Sequence, residues 1–157
     1  MKKSSSLLLF ALFTAFIIHI QSCEKSSSNN GETKISQNNE NESHNMGQNC
    51  MNCHKSGGQG EGIFNIAGTV YDNTKTTAKG NGNIKLYTGP NGSGTLKATI
   101  QIDAKGNFYS TETIDFASGL YPVVTGASGD IKYMGSSTSN GQCNSCHGVS
   151  NDKIWVN

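Results

Sequence analysis

The chain has no arginine. Its twelve cations are all lysines, set mostly singly among eleven acids, for a net charge of +1 over 157 residues. A nucleic-acid footprint needs Lys and Arg clustered on one face, so that class is excluded. Charged residues make up only 15% of the chain, and there are two prolines and one tryptophan. After the amino-terminal stretch no sustained helical period is found, which excludes a helix bundle. The longest apolar run, Leu7 to Ile20, has fourteen residues, whereas a membrane-spanning helix needs roughly 20. Glycine is plentiful instead, at nineteen residues. With many Thr, Ser and Asn, it suits short strands joined by tight turns.

Lys2 and Lys3 followed by the apolar run Leu7–Ile20 read as the n- and h-regions of an export signal. The alternative, a stub membrane anchor, is opposed by polar His19 and Gln21. The next residues, Ile20-Gln21-Ser22-Cys23, resemble the lipobox of bacterial lipoproteins. That resemblance implies cleavage after residue 22 and lipidation of Cys23. Plain secretory cleavage would instead leave Cys23 as an odd thiol in an oxidising compartment, a liability that acylation removes. Residues 24–43 are dominated by Ser, Asn, Gln and Glu, with Ile35 the only aliphatic residue. They cannot bury enough apolar surface to offset ordering entropy, so residues 23–43 are expected to form a disordered tether. Loss of the leader takes Lys2 and Lys3, leaving ten lysines against eleven acids.

Four of the five cysteines and two of the four histidines fall in two copies of one pattern. Cys50-Met51-Asn52-Cys53-His54 and Cys143-Asn144-Ser145-Cys146-His147 both read C-x-x-C-H, the attachment signature of c-type haem. Two thiols three residues apart project from one side of a short helical turn, so both can add to vinyl groups of one porphyrin. The following histidine then faces the iron from the proximal side. Paired C-x-x-C motifs also occur in zinc sites and in disulfide or thioredoxin-type redox pairs. None of these accounts for a histidine directly behind the second cysteine both times.

On these motifs the chain resembles the dihaem c-type cytochromes, within the broad group of exported multihaem cytochromes. The resemblance implies two covalent haems on Cys50, Cys53, Cys143 and Cys146, with His54 and His147 as proximal ligands. His19 leaves with the leader, so His44 is the one spare imidazole and a candidate distal ligand. Of the methionines, Met51 lies inside the first motif and Met46 competes with His44 for one short segment. Met134, nine residues before the second motif, is the candidate for the other iron. Methionine ligation raises the potential, so one lower- and one higher-potential haem are expected.

Between the motifs the chain reads as strands. In "TLKATIQID" Leu96, Ala98, Ile100 and Ile102 alternate with Lys97, Thr99, Gln101 and Asp103, the period of a half-buried strand. "GNIKLYTG" sets Ile84 and Leu86 against Lys85 and Tyr87, and "IFNIAGTVY" sets Phe64, Ile66 and Val70 on one side. "NFYSTETIDF", "GLYPVVTG" and "DIKYM" supply the rest, joined by turns such as "TGPNGSG" and "DAKGNF". Six or seven strands at this spacing predict a mainly β fold, a small antiparallel β-sandwich flanked by two short haem-binding segments. The order Gly68-Thr69-Val70, Ile84-Lys85-Leu86 and Asp103-Ala104-Lys105-Gly106-Asn107-Phe108 resembles transthyretin-like and carboxypeptidase-regulatory-like sandwiches. The expected division is leader 1–22, tether 23–43, first haem segment 44–62, sandwich 63–134 and second haem segment 135–157. Phe64, Tyr109, Tyr121, Tyr133 and Trp155 are candidates to cover porphyrin faces. The glycines of "GGQGEG" follow a haem motif, not a strand, so they form no dinucleotide loop. They are read as flexible backbone passing close to the porphyrin.

The function expected is an electron-transfer protein and not an enzyme: a lipid-anchored relay at the cell envelope, in the periplasm, outer membrane or cell surface. Its partners would be redox proteins met transiently and the membrane that holds the lipid. The alternatives are a dihaem peroxidase or small-ligand reductase with one open iron, against which the absence of a distal arginine stands, and an adhesion or carbohydrate-binding sandwich.

Overall fold

The structure, a computed structural model, describes residues 33–157. The expected leader, the lipidation site Cys23 and the first part of the tether lie outside the described residues. Among those described, no helix is long and apolar enough to cross a membrane.

Eight strands form two four-stranded sheets. The first is built on β1 (Ile66–Tyr71), with β4 (Asn107–Ser110) antiparallel along one edge. The other edge of β1 is shared end to end by two short parallel strands, β7 (Gly141–Gln142) against Ile66–Ala67 and β8 (Ile154–Trp155) against Val70–Tyr71. The second sheet runs β3 (Leu96–Ile102), β2 (Gly82–Tyr87), β5 (Tyr121–Gly126), β6 (Ile131–Tyr133), antiparallel throughout. A β-sandwich is therefore observed. Antiparallel pairing dominates it, as expected, and the short parallel pairings of β7 and β8 make its first sheet mixed.

The alternation read from the sequence packs over most of its length but fails at the ends of β3, where Leu96 is exposed and Asp103, just past the strand, is buried. Ile84 and Leu86 on β2 and Ile100 and Ile102 on β3 are buried, while Lys97, Thr99 and Gln101 are exposed. They meet Ile66, Val70 and Phe108 from the first sheet. β1 is buried along its whole length, because segments carrying the cysteine motifs lie over its second face. The expected strand "NFYSTETIDF" stops at Ser110, and Phe116 and Leu120 beyond it close the core. In the β3–β4 turn, Asp103 Oδ1 accepts the N–H groups of Lys105 and Asn107, both at 2.9 Å. Gly106 there adopts φ +85°, the left-handed conformation that glycine reaches without steric cost.

Two expected boundaries move. Residues 34–43 do not belong to a disordered tether: Ile35 bridges Ser110, and Ser36 is buried. Ser36 N–H donates to the Tyr109 carbonyl at 3.0 Å, and its hydroxyl donates to the Gln101 carbonyl at 2.6 Å. Composition misled because this strap is held by hydrogen bonds to an open sheet edge, which need no apolar side chains. The carboxyl-terminal segment, for its part, is no mere flank of a sandwich ending at 134. It supplies β7, β8 and the core residue Val156.

Candidate functional site

Both motifs fold into the same turn. Cys50–Asn52 and Cys143–Ser145 are single 3₁₀ turns. In the first, the N–H groups of Cys53 and His54 donate to the Cys50 carbonyl at 3.1 and 3.0 Å. In the second, those of Cys146 and His147 donate to the Cys143 carbonyl at 3.3 and 2.9 Å. Asn49 caps the first turn, accepting the Met51 N–H at 3.2 Å. The four cysteines are free thiols. Among the described residues no three His, Cys, Asp or Glu side chains gather as a bare metal ion requires.

Each histidine is held in the same way. His54 Nδ1 lies 2.8 Å from the Glu61 carbonyl oxygen, and His147 Nδ1 lies 2.6 Å from that of Asp152. A carbonyl oxygen only accepts, so Nδ1 carries a proton and Nε2 is the nitrogen left for a metal. This is the arrangement a metal-ligating histidine takes. The two acceptor residues are themselves pinned, Glu61 by Lys34 at 2.8 Å and Asp152 by Lys75 at 2.7 Å. The hydrogen bond from each lysine holds its partner carboxyl below the usual range.

At the first motif the strap brings His44 beside His54, with ring centroids 6.0 Å apart. Phe64 stacks on His54 at 4.1 Å, and Tyr109 stacks on Phe64 at 4.9 Å. The glycine run closes on this group. A Cβ on Gly60 would stand 2.7 Å from the His54 ring, so glycine is what lets the backbone lie against the imidazole. His44 is placed from behind by the β3–β4 turn: Asn107 Nδ2 donates to Ser43 Oγ at 2.9 Å and to the His44 carbonyl at 3.2 Å. Lys105 Nζ donates to the Ser43 carbonyl at 2.8 Å.

The second motif stands at the mouth of a cavity of about 510 Å³ between the sheets. Cys143, Cys146, His147 and Met134 line it, with Ile66, Leu86, Phe108 and Val124 as its apolar floor and Tyr133 and Trp155 at its sides. Met134 is aligned after β6 by its N–H bond to the Pro122 carbonyl at 3.0 Å. Gly68 lets Cys143 reach in, since a Cβ there would meet the Phe108 ring and stand 2.9 Å from Cys143 Cβ. Burial pushes the Cys143 thiol up to about 12 and raises that of Cys50. Tyr121, expected over a porphyrin, is absent from the cavity wall.

The two motifs are neighbours. Asn49 Nδ2 donates to Gln142 Oε1 at 3.2 Å, and Asn144 Nδ2 donates to the Gln48 carbonyl at 2.9 Å. Sequence reasoning missed Asn144, which is buried inside the second motif. β7 ends at Gln142, and opposite the break the Thr69 N–H donates to Asn144 Oδ1 at 3.1 Å. A side chain thus replaces the missing strand partner. It also missed Lys34, Glu61, Lys75 and Asp152; the one visible signal was an acidic residue shortly after each motif histidine. Comparisons with protein families, curated proteins and solved structures found no match to the chain.

Proposed function

We propose that the chain is a dihaem c-type cytochrome that relays single electrons between protein partners at the cell envelope, held there by lipid on Cys23. The observation that carries this reading is the pair of Nδ1 hydrogen bonds from His54 and His147 to backbone carbonyls. Each holds a proton on Nδ1 and fixes the ring, leaving Nε2 as the nitrogen available to a metal. A disulfide gives no reason for that arrangement to occur twice, and among the described residues no three His, Cys, Asp or Glu side chains gather as a bare zinc ion needs.

The residues fit the group. Cys50 with Cys53, and Cys143 with Cys146, would hold the two porphyrins by thioethers. At the second motif the cavity of about 510 Å³ falls in the range of roughly 300–1,000 Å³ usual for cofactor sites, and its floor is apolar. Met134 on its wall would be the second protein ligand beside His147. At the first motif His44 and His54, with ring centroids 6.0 Å apart, would be the two protein ligands. Haem supplies a ferric–ferrous couple that takes up and releases one electron. The chain's part is to fix ligand orientation, exclude water with Phe64, Phe108 and Trp155, and set the potentials by ligand type.

The test is intact mass and absorption spectra of chain made with c-type maturation machinery. A gain of two haems, low-spin six-coordinate spectra, and a sulfur-to-ferric-iron band lost in Met134→Ala are expected. Two haems with a high-spin component that binds cyanide or peroxide would favour an enzyme. No haem gain would overturn both readings.

A further inference from the structure

Thr69, in the middle of β1, is buried, and its hydroxyl is the meeting point of three hydrogen bonds. Oγ1 donates to Asn107 Oδ1 at 2.7 Å and accepts from Gly47 N–H at 2.8 Å and from Asn144 Nδ2 at 3.0 Å. A hydroxyl has one donor and two acceptor positions, so this one is fully used. Two of the bonds lead to residues 43–47 and the third to the second motif. Asn107 holds the Ser43–His44 strap, Gly47 leads into the first motif, and Asn144 belongs to the second.

We propose that Thr69 is a positioning residue that locks the two iron sites into a single unit, so that neither can loosen without the other. The proposal rests on the dihaem reading for its spectroscopic consequence but not for its mechanical one. A buried polar network with every member satisfied has one good arrangement, and losing its hub strands Asn107 Oδ1 and the Gly47 N–H and takes from Asn144 Nδ2 one of its two partners. Asn107 and Asn144 have no water to turn to here, because both are buried themselves. A shift of the second motif therefore pulls on Gly47, Gln48 and the carbonyl of His44 through Thr69 and its two amides.

The test compares Thr69→Val, which keeps the shape and loses the hydroxyl, with Thr69→Ser, which keeps the hydroxyl, in full chain matured with haem. Thioether attachment does not use Thr69, so both variants should show the two-haem mass of the unaltered chain. Should the unaltered chain gain no haem, the cytochrome reading fails, and amide exchange on that same chain still tests the coupling. In Thr69→Val, exchange should speed up by about tenfold or more in both segments 43–49 and 141–147. A high-spin fraction should appear as the first iron loses His44, and Thr69→Ser should restore both signals. Acceleration confined to one segment, or a serine variant that behaves like valine, would overturn the proposal. If Thr69→Val does not accumulate, exchange in the unaltered chain under increasing sub-denaturing urea decides the matter. The two segments opening with one common urea dependence supports the coupling, and separate dependences overturn it.

Discussion

The rings of His44 and His54 lie 6.0 Å apart with a tilt of 37° between their planes. His44 is exposed, and its backbone is held independently of its ring through its own carbonyl and Ser43. Replacing it by alanine should change stability by no more than about 0.5 kcal/mol, as at other surface sites. In haem-loaded chain the same variant should turn the first site partly high-spin and open it to cyanide. Thermal melting and a cyanide titration check the two halves separately. A low-spin, cyanide-inert first site in His44→Ala would remove His44 from the ligand set.

Gly60 lies against the His54 ring, where a methyl group would stand 2.7 Å from Cγ and Nδ1. Gly60→Ala must therefore turn the imidazole or push the loop away, and either motion stretches the bond from Nδ1 to Glu61. The expected cost is about 1–3 kcal/mol, the range for overpacking. Side-chain NMR of His54 should show Nδ1–H exchanging faster than in the unaltered chain, with His147 as the internal control.

The Cys143 thiol, pushed up to about 12 by burial, is almost wholly protonated at pH 8, and the thiolate is the nucleophile. Cys53 and Cys146 are exposed. In haem-free chain, iodoacetamide at pH 8 should label Cys53 and Cys146 first, with Cys143 slower by about 100-fold or more. Peptide mapping over time reads this directly. The raised value also fixes a pH dependence. The fold favours the neutral thiol, so its contribution is full below the ordinary value of 9.0 and declines as pH rises toward about 12.

Asp130 holds the carboxyl terminus in place: Oδ2 accepts the Asn157 N–H at 2.9 Å and lies 3.5 Å from Lys132 Nζ. The backbone hydrogen bond, helped by the lysine charge, keeps this carboxyl below its ordinary value of 3.8. A depressed carboxyl stabilises the fold fully above that ordinary value, and the effect is lost as pH falls through the lower folded value. Asp130→Asn keeps an accepting oxygen but does not titrate. The melting-temperature difference between the unaltered chain and Asp130→Asn should therefore shrink as pH drops below 3.8. A difference that stays constant down to pH 2 would rule out this linkage.

The sandwich was legible because its strands pack one face against a core, and period-2 alternation is the direct imprint of that packing. Ile84, Leu86, Ile100 and Ile102 announce themselves in this way. β7 and β8 do not, since two residues each carry no period, and their parallel pairing depends on a β1 edge that the local sequence does not encode. The strap was hidden for a related reason. Lys34, Ser36 and Asn38 act through backbone and short polar contacts, which leave no mark in hydropathy. At the site, the two cysteine–histidine motifs were plain, because spacing within one turn is local. Asn144 was not, since its worth comes from Thr69 and Gln48, which lie 75 and 96 residues away in the chain.

The interrupted edge of β1 has a consequence for how such a vessel comes to exist. If β7 ran straight on into β8, its backbone would pair with Gly68 and Thr69 and bring the wall down over Ile66 and Phe108. The result would be an ordinary sealed sandwich with nothing to hold. The detour from Cys143 to Lys153 replaces that seal with an aperture. Hollow and cysteine–histidine motif thus arise at one and the same break in a strand, and repairing the strand would abolish both at once.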